Sequence, residues 1–312
     1  MKIVFFGSSH FALPALEGLI KSGFNIVCVV TQPDKQKGRH LHISSTDVKT
    51  LADNAGLAVF QPQDINSDDS VRYLKATAAD LFVIVAYGQI LSEEVLELSK
   101  IMPINIHASL LPRYRGAAPI NYALINGDKV TGVTIMKVSR KMDCGPVISQ
   151  KELQINEEDT AISLERSLSQ LGAELLLETL KNIKNVKLFP QDELKATLAP
   201  KLRKSDGLID WEKSAGEIYD LVRGTLPWPG AFCYYKSKLL KIYSVEKFML
   251  FNKKNFTCGE IVEILKDGIV VAVGKGAVII KQMQIEGKRK MTAAEFIAGH
   301  KVNIGEIFLS KK

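Results

Sequence analysis

Short apolar runs alternate with amphipathic stretches through the first half of the chain. Residues 3–6, 26–30, 81–86 and 104–108 are continuous and apolar-rich, the pattern of strands covered on both faces. Between them, residues 12–21, 47–55 and 92–99 have helical character. That order predicts βαβ units and an α/β, Rossmann-like domain with a mainly parallel sheet. Residues 131–138 and 147–155 read as further strands near its edge. Leu164, Leu168, Leu171 and Leu175 then recur at steps of four, three and four, which places them on one face of a long helix.

The pattern breaks at Asn182-Ile183-Lys184-Asn185, and the chain stays polar, with Pro190 and Pro200, to about residue 205. This predicts an N-terminal domain over 1–188, a linker over 189–205 and a C-terminal domain over 206–312. In the last third, residues 259–265, 269–273 and 277–284 are β-rich runs separated by Asp267-Gly268 and Gly274-Lys275-Gly276, which are hairpin signals. Thr292 and Glu295 have capping-box spacing ahead of a helix over 293–298, with Gly299 at its end. About five short strands with one helix suggest a small β-barrel of the OB type.

Composition narrows the class. The 312 residues are 46% hydrophobic and 24% charged, the balance of a soluble globular protein. No apolar run approaches the roughly 20 residues that cross a bilayer. The N-terminal apolar stretch is too short for a signal peptide and reads as a first strand, so a cytoplasmic protein is expected. Cys28, Cys144, Cys233 and Cys258 are scattered, which fits free thiols and neither a disulfide framework nor a zinc cluster. The five histidines have no metal-ligand spacing, and His40 and His42 fall in a polar loop; no metal is expected. Gly7-Ser8-Ser9-His10-Phe11 follows the first strand but has only the first glycine of G-x-G-x-x-G, which argues against a nicotinamide cofactor. That loop is placed instead near the acceptor. Neither a G-x-S-x-G nor a Walker-type sequence occurs.

The formal charge of +7 is uneven. Residues 1–150 have 15 basic and 13 acidic side chains, residues 151–204 nine of each, and residues 205–312 have 17 against 12. The basic excess lies in the last third, where it would attract a polyanion.

The strongest chemical signal is Asn105-Ile106-His107-Ala108-Ser109-Leu110-Leu111-Pro112. Side chains two apart on a strand point the same way, so Asn105 and His107 project together from the carboxyl end of a central strand, where open α/β sheets place ligands. A neutral histidine there can take a proton and an asparagine amide can donate to an oxyanion. The pair suits acyl transfer to an amine, although a structural, hydrogen-bonded histidine accounts equally for His107 alone.

Asn-x-His-x-Ser-Leu-Leu-Pro, followed by Arg113-Tyr114-Arg115-Gly116-Ala117-Ala118-Pro119, resembles the signature of the folate-dependent formyltransferases. Gly132-Val133-Thr134-Ile135-Met136 and Met142-Asp143-Cys144-Gly145 are similar to the block that holds that family's third catalytic residue. The resemblance implies a constellation in which Asp143 orients His107, His107 is the general base and Asn105 steadies the oxyanion. It also implies 10-formyltetrahydrofolate as donor, with Tyr87, Gly88, Ser109, Leu110, Leu111 and Pro112 at the folate. One departure is Lys141, which stands where the family usually has glycine.

Within that family, residues 31–39 look like the basic insertion loop of the branch that formylates methionyl-tRNA, with Lys35, Lys37 and Arg39 as its tRNA contacts. Leu198-Ala199-Pro200-Lys201-Leu202, Ile209-Asp210-Trp211, Pro227-Trp228-Pro229 and Gly287-Lys288-Arg289-Lys290-Met291 also have counterparts there. The resemblance thus implies initiator methionyl-tRNA as acceptor, and nothing in the sequence requires an oligomer, so a monomer is expected. An amino sugar nucleotide is the alternative acceptor, because such enzymes share the Asn/His/Asp set. A noncatalytic RNA-binding relative would be expected to lack one of the three, and all are present.

Overall fold

The computed structural model describes residues 1–37, 42–248 and 256–311. These divide into two compact units. The first comprises Met1–Pro119, Val130–Gln154 and Glu165–Ala199, and the second Ile120–Lys129, Ile155–Leu164 and Pro200–Lys312.

The strands of the first half are β1 (Lys2–Gly7), β2 (Asn25–Val30), β3 (Lys35–Lys37), β4 (His42–Ser44), β5 (Val59–Phe60), β6 (Leu81–Val85), β7 (Met102–His107), β8 (Val130–Lys137) and β9 (Val147–Gln154). Seven of them form one sheet in the order β5-β2-β1-β6-β7-β8-β9. The first five are parallel, whereas β8 runs antiparallel to both β7 and β9. The parallel strands are the continuous apolar runs: Ile3, Val4, Phe5 and Phe6 are fully buried, as are Leu81, Phe82 and Val83. Burial of each such side chain stabilises by about 1.5–3 kcal/mol. The chain builds outward from β1 to β2 and β5, then returns to β6 on the other side of β1, so the sheet's switch point lies between β1 and β6.

Helices α1 (Leu13–Lys21), α2 (Asp47–Asn54), α3 (Asp68–Ala76) and α4 (Glu93–Glu97) connect these strands. Thr46, Ser67 and Ser92 cap α2, α3 and α4 by accepting from the backbone N–H three residues on, a contribution of about 1 kcal/mol each. Helix α5 (Pro119–Ile125) follows β7 and helix α6 (Ala161–Leu180) follows β9. On α6, Leu164, Leu168 and Leu175 are buried as expected, and Leu171 is half-buried. Gly172 on the same helix permits a close approach to β7, since a Cβ there would sit 2.8 Å from the Ile106 Cγ2.

In the second unit, α7 (Ala215–Gly224) has a complete Ser214/Glu217 capping box and precedes an antiparallel sheet. Its strands are β10 (Ala231–Tyr235), β11 (Lys238–Phe248), β12 (Ile261–Leu265), β13 (Gly268–Ala272), β14 (Ala277–Ile285) and β15 (Met291–Thr292), in the order β10-β11-β14-β13-β12 with β15 on β14. Helix α8 (Ala293–Gly299) has the expected Thr292/Glu295 box. The C-terminal tail bonds to both outer strands. Leu309 exchanges two backbone hydrogen bonds with Tyr234 of β10, and Ile261 of β12 donates to Glu306 O.

Glu306 also accepts from Tyr235 Oη and pairs with Lys236 at 2.9 Å. Partial burial would raise its carboxyl, but the hydrogen bonds from Tyr235, Lys236 and Asn303 prevail and hold it at about 2. A depressed folded value means that the stabilisation is complete above the ordinary value of 4.5 and is lost as pH falls toward 2. Glu306→Gln is expected to destabilise this unit by about 1–2 kcal/mol at neutral pH and to flatten its acid sensitivity. Urea melts at pH 7 and pH 3 check this, and equal acid losses in both proteins would assign the effect to other carboxylates.

No helix among the described residues is long and apolar enough to cross a membrane.

Candidate active site

The sheet sets where side chains emerge. On β7, Ile104 and Ile106 are buried, and Asn105 and His107 share the alternate face. His107 pairs in register with Thr134 on β8 and Asn105 with Met136. After His107 the chain turns through Ser109, whose hydroxyl donates to Arg113 O at 2.6 Å. Thr134 donates to Ser109 O (2.6 Å) and accepts from Leu111 N (3.1 Å), while Gln150 donates to Leu111 O (2.8 Å). The turn ends in a cis Leu111–Pro112 bond.

His107 is 5% exposed. Its Nε2 lies 2.9 Å from Tyr114 O, and its Nδ1 lies 3.6 Å from Asp143 Oδ2. The first is a hydrogen bond, and the second is too long for one. Asp143 Oδ2 accepts from Gly116 N at 2.9 Å. Asp143 and Tyr114 both have left-handed backbones, with φ of 52° and 61°, a conformation that surrounding bonds must enforce. Asn105 is half-buried. His107 and Asp143, 36 residues apart in sequence, thus meet at the end of β7, with Asn105 on the same strand face.

The remaining residues expected at the site fall in different places. Tyr87 and Gly88 follow β6 and line a crevice of about 320 Å³ with Ser8, Ser9, Gln32 and Pro33, at the switch point. The Tyr87 ring packs edge-on against Phe6 in the core. Ser9 Oγ, Gln32 Nε2 and Tyr87 Oη are buried without a hydrogen-bond partner among the described residues. Leu111 and Pro112 line a separate hollow of about 330 Å³ with residues 147–150 and 189–192. Ser109 is fully buried and committed to Arg113, and Leu110 packs near Gly132. Lys35 and Lys37 lie on β3, which pairs with β4 as a two-stranded ribbon. Arg39 lies outside the described residues.

Among the described residues, no group of three His, Cys, Asp or Glu side chains is placed to hold a metal ion. Burial pushes the Cys28 thiol up to about 11 and raises that of Cys233 as well, so neither offers a thiolate nucleophile.

A family model described as formyl transferase matches residues 1–180, and the model for the formyl transferase C-terminal domain matches residues 201–301. The chain belongs to the formyl transferase family. It is 45% identical to a methionyl-tRNA formyltransferase of Acetivibrio thermocellus, over 98% of this chain and 99% of that one. It is 44% identical to a protein of the same name from Thermodesulfovibrio yellowstonii, over 97% of each chain. It also shares its fold with the crystal structure of an N-formyltransferase from Helicobacter canadensis in complex with folinic acid and dTDP-3-aminofucose. That match has a TM-score of 0.69 at 20% identity and covers 93% of this chain and 100% of that one.

Sequence reading of this formyl transferase did not single out Arg115, Thr134, Gln150 or Gln191 for a role. Arg115 is 5% exposed and makes a two-bond pair with Glu193, both at 2.9 Å. That contact holds Arg115 charged and pulls the Glu193 carboxyl down. A buried arginine needs such a partner, but nothing local in the sequence points to residue 193.

Proposed function

We propose that this chain transfers the formyl group of 10-formyltetrahydrofolate to the free amino group of initiator methionyl-tRNA, giving formylmethionyl-tRNA for translation initiation. The gathering of Asn105, His107 and Asp143 at the end of β7 supports formyl transfer. The full-length relatives named for methionyl-tRNA support the acceptor.

His107 donates its Nε2 proton to Tyr114 O and keeps its Nδ1 lone pair for the amine. As the amine nitrogen bonds to the formyl carbon, Nδ1 takes the amine proton and Asp143 stabilises the resulting imidazolium. Asn105 donates to the oxyanion. Collapse breaks the bond between formyl carbon and folate nitrogen, and the proton passes to that nitrogen. No covalent enzyme intermediate is required, because binding both substrates side by side supplies most of the advantage.

The crevice lined by Ser8, Ser9, Gln32, Pro33, Tyr87 and Gly88 at the switch point supports a substrate-binding role there. In this reading Leu110, Leu111 and Pro112 are further folate contacts, with Leu111 and Pro112 lining the second hollow. Lys35, Lys37 and Arg39 meet tRNA phosphate. The C-terminal unit acts as an OB-type, tRNA-binding barrel over 206–312, joined through 189–205 to a catalytic domain over 1–188. The tail's bonds to both outer strands and the basic excess of this third support it. The protein acts as a cytoplasmic monomer.

Single-turnover transfer of labelled formyl to charged initiator methionyl-tRNA, with an amino sugar nucleotide in parallel, tests the proposal. Rapid transfer to the tRNA alone is expected. Transfer to the sugar alone would keep the catalytic trio and refute the acceptor.

A further inference from the structure

We propose that Gln191 is a positioning residue that holds Asp143 in its working orientation; this rests on the role given to Asp143 above. The carboxamide of Gln191 uses all its bonding capacity. Its Nε2 donates to Asp143 O at 2.8 Å and to Gly145 O at 2.7 Å. Its Oε1 accepts from Arg115 Nε at 3.0 Å and from a terminal guanidinium nitrogen at 2.8 Å. The amide has only one sensible orientation, because a flip would set oxygen against two carbonyls and nitrogen against two donors.

The amide braces a loop that has reason to move. Asp143 has a φ of 52°, a backbone conformation that surrounding bonds must enforce. Lys141 is exposed, with its Nζ 3.9 Å from Glu193, the same carboxylate that grips Arg115. Arg115 is therefore the hub. It fixes Gln191 with one edge and Glu193 with the other, one residue before Gly116, whose N–H bonds to Asp143 Oδ2. The carboxylate of Asp143 is thus held from Gly116 and its backbone from Gln191, both tied to the one buried guanidinium. The brace is itself anchored, because Phe189 exchanges two backbone hydrogen bonds with Val147, at 2.8 and 2.9 Å. Asp192 then accepts from Leu194 N at 3.0 Å to turn the chain.

Gln191→Glu separates the brace from bulk packing. It keeps the volume and the acceptor for Arg115 but sets an oxygen against Asp143 O and Gly145 O. The expected result in the full-length protein is a single-turnover rate lowered about tenfold to a hundredfold, the scale of a small misplacement of a reacting group. KM for both substrates should be little changed. Combined with Asp143→Asn, the substitution should add no further loss, because the group it positions is already gone. Gln191→Met, with bulk and no hydrogen bonds, provides the same readouts if the glutamate does not fold. A normal rate in both variants overturns the brace, and so does a loss that multiplies with that of Asp143→Asn. A wild-type rate in Asp143→Asn alone would instead overturn the role of Asp143 itself.

Discussion

Replacing His107 with alanine is expected to slow single-turnover formyl transfer by about a thousandfold, within the range of one positioned general base. Affinity for the tRNA should change little, because the side chain is 5% exposed and offers almost no surface to a polyanion. The ring's two nitrogens have distinct neighbours, Tyr114 O at 2.9 Å and Asp143 Oδ2 at 3.6 Å. Losing the ring removes the proton acceptor, whereas Asn105 and the bound substrates remain, so a residual rate above the uncatalysed one is expected. Rapid-quench transfer with filter-binding affinity on the same preparation makes the measurement. Near-normal turnover would exclude His107 as the base, and a parallel loss of tRNA affinity would point to a structural role.

The second large effect is expected at Gly145, the residue that closes the Asp143 loop. A Cβ there would lie 1.8 Å from Lys137 O and 3.4 Å from Met136 Cε. The backbone dihedral is not in the left-handed region, so the obstacle is steric and not conformational. Neither chain can readily yield, because Lys137 N bonds to Pro146 O at 3.0 Å across the same crossing. Gly145→Ala is expected to destabilise the protein by about 3 kcal/mol, in the range of core overpacking. Formyl transfer should also fall, because Gly145 O is one of the two carbonyls that Gln191 holds. Urea melts and single-turnover rates read the two effects. A wild-type midpoint with a wild-type rate would mean that the loop accommodates a methyl group where the structure leaves no space.

Several elements were legible because their cause is local. The apolar runs at 3–6, 26–30, 81–86 and 104–108 became β1, β2, β6 and β7, since strands buried on both faces need no alternation. The Thr292/Glu295 spacing became a real capping box. The pair Asn105 and His107 could be placed on one strand face from their spacing alone. Helix α7 has a local signal too, because Ser214 and Glu217 have the same capping-box spacing as Thr292 and Glu295.

What the sequence determined by itself was the parallel α/β half, the antiparallel second half and the strand end from which Asn105 and His107 emerge. Only the tertiary structure decided that β8 runs antiparallel between β7 and β9, that residues 120–129 and 155–164 belong with the second unit, and that the stretch after α6 bonds to the Asp143 loop. Residues 189–199 look like linker because most of their side chains are exposed, Phe189, Leu194 and Leu198 included. Their work is done by backbone groups, the Gln191 amide and the Glu193 carboxylate, bonded to partners at Arg115, Asp143, Gly145 and Val147. Hydrophobic periodicity records how deeply each local segment is buried. It holds no information about which distant carbonyl meets which donor, and the orientation of Asp143 depends on those meetings.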